Sequence, residues 1–125
     1  MFSKGYKNDA GTEIILQNLT VFKAKQITVV NLHCQITPKP GTCAIITPRS
    51  SAARLGLFIA TCPIDADYSG DVHAIVFNAS DETIVYNAGE SFCQFVTFKI
   101  DTDIVTPCKK TGQRSHGAFG STDIK

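Results

Sequence analysis

The chain is expected to fold as an all-β domain of the sandwich, jelly-roll or closed-barrel type, and three observations lead there. Short apolar, β-branched runs recur along it, bounded by Gly, Pro, Asn or Asp. Only one stretch has the composition of a helix, and Pro48 and Gly56 bracket it. With 125 residues the chain can bury a single core. For a domain this small, added stability from self-association would be unsurprising.

Taken in order, Glu13-Ile14-Ile15-Leu16 follows the turn at Asp9-Ala10-Gly11 and reads as a strand. Ile27 to Ile36 is β-branched and mostly apolar, and after the breaker Pro38-Lys39-Pro40-Gly41 comes the strand Cys43-Ala44-Ile45-Ile46-Thr47. Ser51-Ala52-Ala53-Arg54-Leu55 is then one helical turn at most. Leu57 to Ala60, Val72 to Asn78, Thr83 to Tyr86 and Ser91 to Ile100 complete the strands, with Asn87-Ala88-Gly89-Glu90 as the last turn. His33 and His73 fall inside strands, and without Cys or acidic partners at metal spacing they read as packed or rim residues. From Lys109 the composition becomes Gly, Ser, Thr, Lys, Arg and His, with Phe119 and Ile124 the large apolar residues left. The expected division is a β-rich core over 1–108 and a tail over 109–125, mobile without a ligand.

Twelve basic and 11 acidic residues give a net charge of +1, so no global field points to a nucleic acid or a membrane. An anionic ligand must be held by local groups. The five cysteines form no CxxC pair, are odd in number and lie mostly in apolar runs, where a free thiol acts as a small hydrophobe. The N-terminal residues lack an apolar signal core, and no segment approaches the length of a membrane span. The expectation is a protein that is not secreted, placed in the cytoplasm, the nucleus or the interior of a host cell.

Three stretches could carry chemistry. Pro63-Ile64-Asp65-Ala66-Asp67-Tyr68-Ser69-Gly70 sets two carboxylates and a ring between a proline and a glycine, on a hairpin edge before a buried strand. In extended backbone Asp65 and Asp67 point one way and Tyr68 the other, unless the turn rotates them. Pro48-Arg49-Ser50-Ser51 puts backbone N–H groups and hydroxyls beside a guanidinium, which suits a phosphate; the bland alternative is an N-cap serine with a surface arginine. The tail segment Arg114-Ser115-His116-Gly117-Ala118-Phe119-Gly120-Ser121-Thr122 has glycines to wrap an anion and a ring to cover a base; the bland alternative is a disordered polar terminus. Gln94, in a strand between Cys93 and Phe95, either satisfies a backbone group or reaches a ligand.

In this order these stretches resemble the five motifs of the trimeric deoxyuridine triphosphatase (dUTPase) family. Ala10-Gly11-Thr12-Glu13-Ile14 is similar to the first, Pro48 through Leu57 to the second and Ile64 through Gly70 to the third. Gly89-Glu90-Ser91-Phe92-Cys93-Gln94 resembles the fourth and Arg114 through Thr122 the fifth.

The resemblance implies a jelly-roll-like (β-clip) subunit and a homotrimer whose active sites are shared between chains. It implies hydrolysis of dUTP to dUMP and pyrophosphate, which keeps uracil out of DNA and supplies dUMP for dTMP synthesis. By that resemblance Asp65 is the general base for a water attacking the α-phosphorus, and Tyr68 packs under the deoxyribose and excludes a 2′-hydroxyl. Arg49, Ser50, Ser51 and Gln94 hold phosphates. Thr61 and Cys62, on the hairpin before Asp65, contact uracil. Arg114, Gly120, Ser121 and Thr122 close over the γ end, with Phe119 stacked on the base. Mg²⁺ is bound chiefly by the triphosphate and waters, with Glu13 reaching it through water.

The chain departs from the family pattern in four places. Glu13 stands where the family carries aspartate, Ser69 and Ser91 where it carries basic residues, and the hairpin segment Phe58-Ile59-Ala60-Thr61-Cys62-Pro63 is short. The two serines concern structural ion pairs rather than chemistry. A deoxycytidine triphosphate deaminase of the same fold needs a glutamate where this chain has Ile75, which disfavours deamination. A non-catalytic nucleotide-sensing module is the remaining alternative, and the sequence indicates no regulatory protein partner.

Overall fold

The computed structural model describes residues 1–104. Its strands are β1 (Phe2–Ser3), β2 (Thr12–Ile14), β3 (Thr20–Phe22), β4 (Ile27–Asn31), β5 (Thr42–Pro48), β6 (Leu57–Ile59), β7 (His73–Asn78), β8 (Ile84–Tyr86) and β9 (Cys93–Lys99), with one helix, α1 (Ser50–Leu55). They form antiparallel sheets in the orders β1-β2-β9-β5, β3-β8 and β4-β7-β6. An all-β chain with one short helix is what the turn spacing predicts.

Alternation fixes which face each strand buries. On β7, Ala74, Val76 and Asn78 point inward, and on β5, Ala44 and Ile46 do. Between the sheets Phe22 meets Phe92 edge-on at 5.0 Å, with Tyr86 at 5.8 Å from Phe92. Asn78 is wholly buried in this core, so every polar atom of it must be matched. Its Nδ2 donates to the Phe22 and Glu82 carbonyls, and its Oδ1 accepts from the Ser80 N–H and hydroxyl.

The structure corrects several expectations. β1 and β3 are additional strands, too short to show a period. The strand expected from Ile27 to Ile36 ends at Asn31, whose Oδ1 accepts the His33 N–H at 2.8 Å while His33 takes a left-handed φ of 51°. His33 therefore lies outside the strand. Beyond it burial still alternates from Leu32 to Ile36, and the strap is tied to the Val72 backbone by Leu32 N–H and the Cys34 carbonyl rather than by a ladder. The N-cap of α1 is Arg49, not a serine, and it makes no side-chain capping bond. Ser50 and Ser51 begin the helix with both side chains exposed.

Candidate active site

Three of the motif stretches converge on the sheet β2-β9-β5. Glu13 on β2 lies directly across from Gln94 on β9, and Gln94 lies across from Thr47 on β5, so the three form one row. Arg49 follows β5 and enters α1, held by its N–H on the Phe92 carbonyl and by its own carbonyl on the Ala53 N–H. Its Nε is 3.0 Å from Glu13 Oε1, and its Nη1 donates to the Ser91 carbonyl at 3.1 Å. Both side chains of the ion pair are about one-third exposed, at 39% and 32%. Gln94 Nε2 makes a long bond of 3.4 Å to the Pro48 carbonyl, while its Oε1 crosses the backbone of Gly11. A Cβ on Gly11 would sit 2.0 Å from that oxygen, so only glycine leaves room for the amide.

Ser91, whose carbonyl holds Arg49, is itself enclosed. It is 5% exposed and its hydroxyl donates to the Cys93 carbonyl at 2.8 Å.

The acidic stretch forms a second, separate cluster. Ile64 makes an isolated bridge with Ala44, and the chain then turns, with Tyr68 N–H bonding the Asp65 carbonyl at 3.1 Å. The turn thus rotates the side chains out of simple alternation. Asp65 is half-buried and Asp67 exposed. Tyr68 folds over Gly70, where a Cβ would lie 2.6 Å from its Oη, and the hydroxyl donates to the Asp71 carbonyl at 2.8 Å. That carbonyl is also 3.1 Å from His73 Nδ1, and the Asp71 carboxylate accepts from Asn31 Nδ2 at 3.3 Å. Thr61 and Cys62 are exposed on the segment leading in.

Ile64 pairs with Ala44, and Arg49 follows the end of β5 five residues on, so the bridge that anchors the acidic turn and Arg49 are about 17 Å apart along the chain at about 3.4 Å per residue. A groove of about 690 Å³, lined by Phe2, Pro38, Phe95, Phe98 and Lys99 among others, contains none of the candidate residues. Arg114, Phe119, Gly120, Ser121 and Thr122 lie outside the described residues, as does the boundary at 108/109.

Sequence reading missed the Glu13–Arg49 pair, the Ser91 carbonyl as a clamp on Arg49, and the Asn31-Asp71-His73 network behind Tyr68. The glycine next to the Glu13 segment was the available signal for the crossing amide. Among the described residues no group of three or more His, Cys, Asp or Glu could hold a metal ion. Burial, with Cys34 nearby, pushes the Cys93 thiol up to about 12, so it packs as a neutral hydrophobe. Burial also raises Tyr86, opposed by Arg49. Cys62, in contrast, is exposed. Among the described residues no helix is long and apolar enough to cross a membrane.

Comparison with known proteins gives a consistent picture. The dUTPase family profile matches residues 1–123. The deoxyuridine 5′-triphosphate nucleotidohydrolase of Kluyveromyces lactis is 32% identical over 124 residues, covering 96% of this chain and 84% of the yeast protein. The native EIAV dUTPase superimposes with a TM-score of 0.77 at 21% identity, over 89% of this chain and 92% of the viral one. A mutant dUTPase from phage phi11 of S. aureus, described with a structural Mg(II) ion, gives 0.76 at 21% identity over 88% and 90%.

Proposed function

The chain belongs to the dUTPase family, and from that membership we propose a dUTP diphosphatase that hydrolyses dUTP to dUMP and pyrophosphate with its binding and its proton transfer carried by separate stretches. The reading is supported above all by the convergence of Glu13, Arg49, the Ser91 carbonyl and Gln94 at one end of β2-β9-β5.

At that end Arg49 and Gln94 grip the triphosphate, with the exposed hydroxyls of Ser50 and Ser51 beside them. Asp65 takes a proton from the water that adds to the α-phosphorus; the bond from that phosphorus to the bridging oxygen breaks and pyrophosphate leaves. Tyr68, its hydroxyl tethered to Asp71, presents a fixed ring face that leaves no room for a ribose 2′-hydroxyl. Thr61 and Cys62 line the approach of the base. Residues 109–125 bring Arg114, Gly120, Ser121 and Thr122 to the γ end and Phe119 to uracil, by the resemblance of that stretch to the fifth motif. When bound, Mg²⁺ offsets the charge of the triphosphate. The phosphates and waters would hold it, while Glu13, expected from the family resemblance to reach it through water, has its Oε1 committed to Arg49 Nε.

A homotrimer with shared sites would bring Asp65 of one chain to Arg49 of another. The outer face of β4-β7-β6 supports it. Ile27 pairs with Phe77 and Phe77 with Phe58, making an apolar row across three strands whose members are 69%, 39% and 61% exposed. A second copy would cover it.

The test is pyrophosphate release from dUTP, dCTP, dTTP and UTP, with Asp65→Asn as control. Turnover of dUTP alone is expected, and Asp65→Asn should lose about 10²- to 10⁴-fold in kcat. Equal rates for the variant would remove Asp65 from the mechanism, and release from UTP would remove Tyr68 as the sugar filter. A glutamate would be needed at Ile75 for deamination, and Ile75 sits in β7 across from Val29.

A further inference from the structure

We infer that Glu13 is a positioning residue for Arg49, aiming its guanidinium at the triphosphate, and that this role is why a glutamate stands there. The inference rests on the reading of Arg49 as a phosphate ligand. Glu13 lies on β2 and Arg49 just past the end of β5, the two strands that flank β9, with Glu13 in the row of Gln94 and Thr47 and Arg49 two residues beyond that row. Their backbones are therefore separated by two strand spacings, about 9.6 Å, and by about 7 Å along the strands. Two long side chains span that diagonal to meet at 3.0 Å. An aspartate, one methylene shorter, would leave the pair open.

The contact is directional. Glu13 takes Nε and the Ser91 carbonyl takes Nη1, two of the five guanidinium donors, on neighbouring edges of the plane. The guanidinium is thus fixed in rotation, and the Nη2 hydrogens, which neither contact takes, are left for an anion. An arginine without this pair would keep its charge but sample several rotamers, each of which must be frozen when the ligand binds. The carboxylate acts on the substrate through Arg49.

The test uses the full chain and a dUTP analogue with a nitrogen bridging the α- and β-phosphates, titrated by calorimetry at saturating Mg²⁺. Glu13→Ala is expected to weaken binding about tenfold. Glu13→Gln, whose amide oxygen still accepts from Nε, should lose only about threefold. In an Arg49→Ala background, Glu13→Ala should add less than about twofold, because the two residues act as one unit. The Mg²⁺ concentration at half-maximal binding should stay within about twofold in both Glu13 variants. In turnover of dUTP the loss should fall on KM rather than kcat. Effects of Glu13→Ala and Arg49→Ala that multiply, or a tenfold rise in the Mg²⁺ requirement in both Glu13 variants, would overturn the inference.

A readout without nucleotide separates this idea from the reading it rests on. The Arg49 Nε–H resonance should exchange slowly with water in the parent chain and in Glu13→Gln, and be lost in Glu13→Ala. An Arg49 signal indifferent to Glu13→Ala sinks the positioning role even if dUTP is turned over. A pinned Arg49 in a chain that neither binds the analogue nor hydrolyses dUTP overturns the phosphate reading instead.

Discussion

The surroundings of Arg49 and those of Tyr68 are built by different means. Arg49 Nη1 is held by a carbonyl 42 residues away in sequence, and its Nε by a strand from the other side of the sheet. Tyr68 Oη is held by a carbonyl three residues away, within its own turn. The first region exists only when β2, β9 and β5 are in register, so its geometry is bound up with global stability. The second needs little more than a folded loop and its anchor at the Ala44–Ile64 bridge. Damage to the first is expected to cost folding and binding together, and damage to the second to cost function with little change in stability.

The largest effect would come from separating the two regions between chains. Asp65→Asn and Arg49→Ala should each be inactive alone. Unfolded together and refolded as an equal mixture, they should regain about a quarter of the parental rate, the fraction of two-chain sites that draw each residue from the intact donor. A mixture that stays at background would place both residues in one chain's site and end the comparison.

Next in size is Gly11→Ala. The new methyl must displace the Gln94 amide, so KM for dUTP should rise at least about tenfold and the unfolding free energy fall by about 1–3 kcal/mol. Thermal melting and initial rates read both, and an unchanged melt would show that the register does not depend on that crossing.

The smallest is Tyr68→Phe, which removes one hydrogen bond to the Asp71 carbonyl while leaving the ring. The expected loss is about 1 kcal/mol or less, with KM raised only a few fold. If this variant melts as early as Gly11→Ala, the turn is part of the cooperative core and the contrast drawn above is wrong.

The same contrast governs what could be read from the sequence. The turn chemistry of Asp65 to Gly70, the bracketed helix and the long strands β5, β7 and β9 announce themselves through Pro, Gly and alternation. β1 and β3, two and three residues long, carry no period at all. The left-handed turn at His33 was missed because histidine only weakly favours positive φ and the apolar run continues past it, although the asparagine two residues before it supplies the bond that stabilises it. The Glu13–Arg49 contact depends on two strands flanking a third that comes last among the described ones, a placement that only the sheet order reveals. Gln94 was legible as a choice between backbone and ligand, and the structure adds Gly11 as the reason the amide lies where it does.

Ser91 constrains size and charge at its position together. Its hydroxyl is committed to the Cys93 carbonyl and its own carbonyl to Arg49, in a nearly enclosed space. A lysine placed there would have to push its ammonium through that packing to water or stay buried without a counter-ion.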